Sequence, residues 1–352
     1  MKVLVTGGAG FIGSHVVDRL AERGDDVHVI DSLDAGAHQR LPGYLRRDVR
    51  YRVADLRHWL PDESFNDVEA VIHLAALGGV GRAGKEPANV IGANVMGTAR
   101  LVQFCRAWPL LKRFVLISSF SVYGSNYTFQ CVKCGARTAA TRDPEDLAAG
   151  RFEVVCGACG GECSVLPIGV DARPDPLETY GASKYMQELC LRGFQGCPVT
   201  ILRLSSVYGD RLRLDDGEAT IIAKLAGWIR AGERPVLFED GAQLRDWVFV
   251  QDVVDTIEKA LDRQDAPNLL NVCSGVGTSL VEACATVGEV YGKACAPRVV
   301  GGFRPGDMRH CLGDAGPLSR FLGRPPVTFQ DAAGLAFSPD QKRLKTLSTA
   351  GD

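Results

Sequence analysis

Residues 2–6 form a short β-rich run that passes directly into Thr6-Gly7-Gly8-Ala9-Gly10-Phe11-Ile12-Gly13, and a helical pattern follows to about residue 21. Glycines at 7, 10 and 13, set between a strand and a helix, constrain the chain more than any other feature. Gly7 permits a tight turn. Gly10 lets the backbone approach a pyrophosphate. Gly13 allows helix and strand to pack closely, and the helix N-terminus faces the phosphates. Gly7, Gly10, Phe11, Ile12 and Gly13 are therefore the candidate cofactor loop. The next strand, 27–30, ends at Asp31, 18 residues after Gly13. A carboxylate there accepts both ribose hydroxyls of NAD and repels the 2′-phosphate of NADP.

Further β-rich runs at 50–53, 70–74 and 114–118 alternate with helical stretches, notably 89–107. This alternation predicts an α/β fold with a doubly wound parallel sheet covered on both faces. Asp55-Leu56 follows the third strand, where an adenine-contacting pair sits. An Asp there also serves as a turn or helix cap. His73-Leu74-Ala75-Ala76 closes the fourth strand, and its small residues let a cofactor pass close by or simply pack tightly. The pattern breaks at about Tyr127 and resumes at 180 with a helix to about 193 and a strand at 199–204. Another helix is expected near 219–231, and the polar stretch 338–352 reads as a mobile tail.

Composition removes several classes. With 46% hydrophobic and 23% charged residues, the chain is neither disordered nor collagen-like nor a coiled coil. A formal net charge of −2, from 40 Lys+Arg against 42 Asp+Glu, offers no basic footprint for nucleic acid. No apolar run approaches the roughly 20 residues that span a membrane. The first strand runs at once into the glycine loop, so no signal peptide is expected. The twelve cysteines then read as reduced or metal-bound thiols in a cytoplasmic protein.

Tyr180-Gly181-Ala182-Ser183-Lys184 is the candidate chemical centre. Tyr180 and Lys184 are spaced i,i+4 and share one helix face. A free tyrosine titrates near pH 10, and a neighbouring ammonium is expected to lower it. Lys184 can also hold the nicotinamide ribose. Ser119, at the end of the fifth strand, can hydrogen-bond the same substrate oxygen.

Between 127 and 166 lie Cys131-Val132-Lys133-Cys134 and Cys156-Gly157-Ala158-Cys159. Two Cys-x-x-Cys knuckles match a four-thiolate structural zinc site. Cys163 could replace one ligand; loose reduced thiols, or two redox-active pairs, are the alternatives.

Taken together, these motifs resemble the extended short-chain dehydrogenases/reductases that act on nucleotide sugars. The likeness also covers residues 92–98 around Asn94, 118–124, 203–209, 244–253 and 304–307. It implies a Rossmann domain (1–126 and 167–208, with contributions near 245–262) and a zinc-ribbon-like insertion (127–166). It implies a smaller C-terminal domain for a nucleotide-diphosphate sugar (209–244 and 263–337). It further implies NAD held through turnover, and a homodimer. By position in the family, Leu74, Ala75, Ala76, Asn94 and Ser118 would join the cofactor site. Ser121, Tyr123, Ser206, Arg245, Arg304 and Asp307 would contact substrate.

Nucleotide-sugar 4,6-dehydratases carry Thr-Asp-Glu where this chain has Ser119-Phe120-Ser121, and xylose-forming decarboxylases keep a Glu at the place of Ser121. Without those carboxylates elimination lacks its acid and base, which leaves epimerisation at one carbon, C4. Ser206 stands where the family has Asn, which alters one sugar-diphosphate contact. The nearest subgroup resembles dTDP-L-rhamnose 4-epimerases, which carry a similar cysteine insertion. A ketosugar reductase or dehydrogenase, and a non-catalytic NAD-binding zinc-ribbon protein, are the other readings.

Overall fold

The computed structural model describes residues 1–35, 38, 41–139, 142–214, 220–303 and 307–338. Arg304 and the stretch 339–352 thus lie outside the described residues. The chain forms two compact units. The first comprises Met1–Gly124, Pro174–Leu204 and Val250–Val272; the second comprises Ser125–Arg173, Ser205–Phe249 and the residues from Cys273 onward.

The first unit is built on a seven-stranded parallel sheet. Its strands are β1 (Lys2–Thr6), β2 (Asp26–Asp31), β3 (Arg50–Val53), β4 (Ala70–His73), β5 (Arg113–Ser119), then Val199–Leu204 and Leu269–Val272. Their spatial order is β3-β2-β1-β4-β5, followed by Val199–Leu204 and Leu269–Val272. Val3, Leu4, Val5, Val71, Ile72, Phe114, Val115 and Leu116 have no exposed surface. Apolar burial on both faces is what a parallel sheet covered by helices requires. The parallel register aligns Thr6 with His73 and His73 with Leu116, so the C-terminal ends of β1, β4 and β5 share one edge of the sheet. In open sheets of this kind, ligands bind along that edge.

The expected helical stretch 89–107 is not one regular helix. It runs as Pro87–Ile91, a π-helical turn over Gly92–Met96, and Gly97–Cys105. Such a turn commonly marks a functional site, and Asn94 lies inside it.

In the second unit, Ser206–Tyr208 pairs in parallel with Leu244–Phe249, which pairs antiparallel with Gly277–Ser279. Tyr208, Trp247, Phe329 and Phe337 form its aromatic core, with ring centroids 5.0–6.5 Å apart. The cysteine-rich segment belongs to this unit and is more regular than its sequence suggests. Thr128–Cys131 forms the centre of an antiparallel sheet between Arg137–Ala139 and Cys163–Val165. A charge network centred on the buried Arg309 and Glu239 ties this segment to the rest of the unit. The guanidinium of Arg309, only 1% exposed, meets Glu239 at 2.8 Å and Asp240 at 2.7 Å, and also Glu153. Arg142 reaches the other oxygen of Glu239 at 2.8 Å.

Candidate active site and cysteine cluster

The glycine loop follows β1 as the spacing requires. Gly7 has φ +74°, and a Cβ there would lie 2.7 Å from the Ala75 nitrogen. This close approach explains both the glycine and the small residues after β4. A Cβ on Gly13 would lie 2.2 Å from the Gly7 carbonyl oxygen, so only glycine lets helix α1 (Phe11–Glu22) begin this close to the strand. Asp31 accepts the Ala9 N–H at 3.0 Å and the Leu33 N–H at 2.9 Å, which fixes the carboxylate at the loop. Loop, helix end and carboxylate fit a dinucleotide.

The Tyr180 helix (Thr179–Cys190) starts at Glu178, whose carboxylate accepts the N–H groups of Tyr180 at 2.6 Å and Gly181 at 2.8 Å. Capping of this kind satisfies two of the first-turn donors. A Cβ on Gly181 would lie 2.4 Å from the Ser121 carbonyl oxygen. The missing side chain therefore lets the helix start press against the turn that carries Ser119. Ser119 accepts the Ser121 N–H at 3.1 Å, and its hydroxyl lies 3.2 Å from that of Ser121.

Burial pushes the Tyr180 phenol up to about 12; the Ser119 hydroxyl opposes this and the Glu178 charge adds to it. The same withdrawal from water brings Lys184 down to about 7, against the pull of Glu188. The expected lowering of Tyr180 by Lys184 is thus corrected. Desolvation dominates at both buried groups, and the charge that acts on the phenol is that of Glu178, not that of Lys184.

Behind these residues lies a set of polar side chains, of which Glu188 and Gln187 were not flagged by the sequence. Arg203, 4% exposed, clasps Glu188 through Nε at 2.9 Å and Nη2 at 2.7 Å. Ser118 donates to the same carboxylate at 2.6 Å. Lys184 donates to Gln187 at 2.5 Å. His73 stands between Thr6 at 2.6 Å and Thr98 at 2.7 Å, and burial, then Lys184, lowers it to about 3.

The four cysteines of the two knuckles converge: the sulfurs of Cys131, Cys134, Cys156 and Cys159 all lie within 4.8 Å of one another. Three of the pairs are 3.4–3.6 Å apart. Four sulfurs about 2.3 Å from one ion stand about 3.8 Å apart in a tetrahedron, so the donor set fits zinc. Cys163 stays outside the set, its sulfur 3.8 Å from the Gly161 carbonyl oxygen. The Cys134 N–H pulls the Cys131 thiol down to about 6. At Cys159 the Gly161 N–H pulls down, but the Cys134 and Cys131 thiols push it up to about 12. Crowded thiols of this kind cannot all ionise without a cation between them.

The sequence profile described as the NAD dependent epimerase/dehydratase family matches residues 3–144 and 157–273. The chain belongs to this family. The break in the match, 145–156, falls inside the cysteine-rich segment. Among curated family relatives, a dTDP-L-rhamnose 4-epimerase from Burkholderia thailandensis is 33% identical over 336 residues, covering 92% of this chain and 90% of that protein. A protein described as a putative UDP-glucose 4-epimerase from Methanocaldococcus jannaschii is 31% identical, covering 80% of this chain and 79% of that one. The solved UDP-glucose 4-epimerase of Thermotoga maritima, in complex with UDP-glucose, superposes with a TM-score of 0.74 at 28% identity. That likeness covers 99% of this chain and all of that one.

Several residues assigned from the family pattern have other work here. Tyr123 has no exposed surface; its hydroxyl donates to Asn271 at 2.6 Å and its ring lies under Arg203 at 4.8 Å. Its polar atom and ring thus support the sheet. Asn94, also without exposed surface, accepts the Leu77 N–H at 2.7 Å and donates to the Leu77 carbonyl and to Ser183. Its side chain joins the loop after β4 to the Tyr180 helix. The Ser118 hydroxyl is likewise spent on Glu188. Asp55 is held by Arg57 at 2.6 Å and accepts the Arg57 N–H at 2.8 Å, a turn-forming role. In the second unit, Arg245 donates to the carbonyls of Leu244, Met308 and Arg309 at 2.9–3.3 Å, while Ser206 begins its strand and Asp307 is exposed. Within the first unit the structure brings Ser119, Ser121 and Tyr180 together, and Lys184 follows one turn along the Tyr180 helix with its ammonium on Gln187.

Proposed function

We propose that the protein is an NAD-dependent nucleotide-sugar 4-epimerase that oxidises C4 of its substrate to a transient ketone and re-reduces it on the opposite face. The observation that carries this is the turn after β5. It offers Ser119 and Ser121 hydroxyls beside Tyr180 where elimination would need free carboxylates. The one acid whose charge acts on Tyr180, Glu178, is committed to two backbone N–H groups. The family relatives named as 4-epimerases support the choice of carbon.

When bound, NAD supplies the hydride acceptor and donor, and its oxidised ring adds the positive charge that a phenolate at Tyr180 needs. The glycine loop and Asp31 hold the dinucleotide. Tyr180 takes the proton of the 4-hydroxyl and later returns it, Ser119 orients that oxygen, and Lys184 holds the ribose. Remote binding through the nucleotide diphosphate lets the sugar turn while held. Arg245, Ser206 and Asp307 are the second unit's candidates for that part. The homodimer reading has support in Met96, Met186 and Leu189, which are 57%, 41% and 39% exposed on the helical segments around the site. No helix among the described residues is long and apolar enough to cross a membrane, which fits the cytoplasmic reading.

The test is incubation of the purified protein, without added NAD, with dTDP-, UDP-, GDP- and ADP-linked sugars in deuterated water, followed by NMR. The expected product is a C4 epimer with no deuterium at C4. Solvent label at the inverted carbon, or turnover that needs stoichiometric NADH, would replace this reading by a ketosugar reductase or a different epimerase.

Cys131, Cys134, Cys156 and Cys159 hold one structural zinc in the same reading, which cross-links a segment too small for its own core. Elemental analysis of reductant-protected protein is expected to find about one zinc per chain. Cys156→Ser should lose it and expose residues 127–166 to protease before the first unit is cut. Protein prepared this way without zinc would refute the assignment.

A further inference from the structure

The protons around Thr98 can be assigned by counting. The Asn94 carbonyl oxygen accepts only, so the Thr98 hydroxyl, 2.5 Å away, must donate its single proton there. The Thr98 oxygen is then purely an acceptor towards its other neighbours. Two remain, each at 2.7 Å: Nε2 of His73 and the amide of Gln187. His73 then carries its proton on Nε2, which leaves Nδ1 to accept the Thr6 hydroxyl at 2.6 Å and makes the 3.3 Å approach of the Gln187 nitrogen to Nε2 a non-bonding one. Gln187 must turn its NH2 to Thr98. Its carbonyl then has one direction left, towards Lys184 Nζ at 2.5 Å. Gln187 has no exposed surface and Lys184 is 3% exposed, so water does not substitute for either contact.

We propose that Gln187 is the positioning residue for Lys184: its amide, locked in one orientation by Thr98, presents a carbonyl that aims the ammonium and favours its charged form. The inference rests on the reading of Lys184 as the cation of the site. An ammonium has three N–H donors. Gln187 takes one and fixes the axis about which the other two turn to ribose and phenol. The lock reaches back through His73 and Thr6 to the strand that carries the glycine loop, since the Ala75 N–H also reaches Thr6 Oγ1 at 3.4 Å. The helix that bears the base and the loop that bears the cofactor are thus joined through neutral groups alone. Neutrality is required, because a charged His73 would repel Lys184.

Lys184 faces His73 from β4, and Tyr180 and Glu188 from its own helix; Glu188 shares its charge with Arg203. Of these, none changes in Gln187→Met or Gln187→Glu. The experiment is a pH titration of lysine-13C-labelled protein by NMR, with the Lys184 signal assigned by its absence in Lys184→Met. The native signal is expected to titrate near the value of about 7 set by burial. Gln187→Met should move the midpoint to lower pH, because the acceptor for the ammonium is gone, and Gln187→Glu should move it higher. Thr98→Val, which removes the lock and keeps the shape, should move it lower as well and covers the case in which Gln187→Met does not fold. Turnover on a sugar found active in the C4 assay should fall roughly tenfold in Gln187→Met, the size expected for one hydrogen bond to a charged group.

Loss of thermal stability with an unmoved Lys184 midpoint in these variants would overturn the proposal and leave Gln187 a packing residue. Full activity in Lys184→Met would instead overturn the role of Lys184 itself.

Discussion

Tyr180→Phe is expected to lower turnover by about 10²- to 10⁴-fold, the range for loss of a positioned general acid–base group. The ring that packs beside Leu77, Ala83 and Val90 stays, so the fold and the retained nucleotide should not change. Chromatography of the nucleotide released on denaturation should show NAD in equal amount in variant and native protein. The phenol is protonated across the neutral range when its titration is pushed up to about 12. In the free protein it is therefore poised to donate, and it becomes a base only when positive charge arrives beside it. Near-normal turnover in the variant would remove Tyr180 from the chemistry.

The largest effect on stability is expected from Glu188→Leu. Glu188 is 7% and Arg203 4% exposed. Removing the carboxylate strands a guanidinium among Tyr123, Ser118 and the strand Val199–Leu204. Breaking one side of a buried pair costs about 3–5 kcal/mol, and urea unfolding should show that loss as a lower midpoint with an unchanged slope. Replacing both members, Glu188→Leu with Arg203→Met, should recover most of it, because no uncompensated charge remains. A double variant no more stable than the single one would mean that the pair is not the source of the loss.

What could be read from the chain was what depends on short spacing. The glycines at 7, 10 and 13, the i,i+4 pair Tyr180 and Lys184, and the two Cys-x-x-Cys knuckles each carry their geometry within a few residues. The structure places each set as that spacing demands. Long-range partnerships were not readable. Gln187 looks like any polar position on a helix until Thr98, 89 residues away, fixes its amide. Tyr123 and Asn94 sit in family motifs, and nothing local says that Asn271 and Leu77 claim their polar atoms. The expected lowering of Tyr180 came from pairwise distance alone. It failed because burial, which no spacing reveals, acts on both partners at once. Arg309 has the same character: its three acidic partners come from two remote segments.

That last feature bears on the order in which the protein is made. Glu153 and Arg309 are 156 residues apart, and at about 5–20 residues per second the ribosome needs roughly 8–30 s to supply the second after the first. Phe129 and Val154, at 0% and 3% exposure in the finished fold, emerge long before the arginine that pairs with Glu153. All four clustered sulfurs, by contrast, are available once residue 159 has left the tunnel. If these cysteines hold zinc as proposed, a metal loaded at that moment would hold the nascent segment in shape while its permanent neighbours are still being translated. On that reading, zinc supply during synthesis, more than zinc supply to the mature enzyme, would set the yield of folded chains.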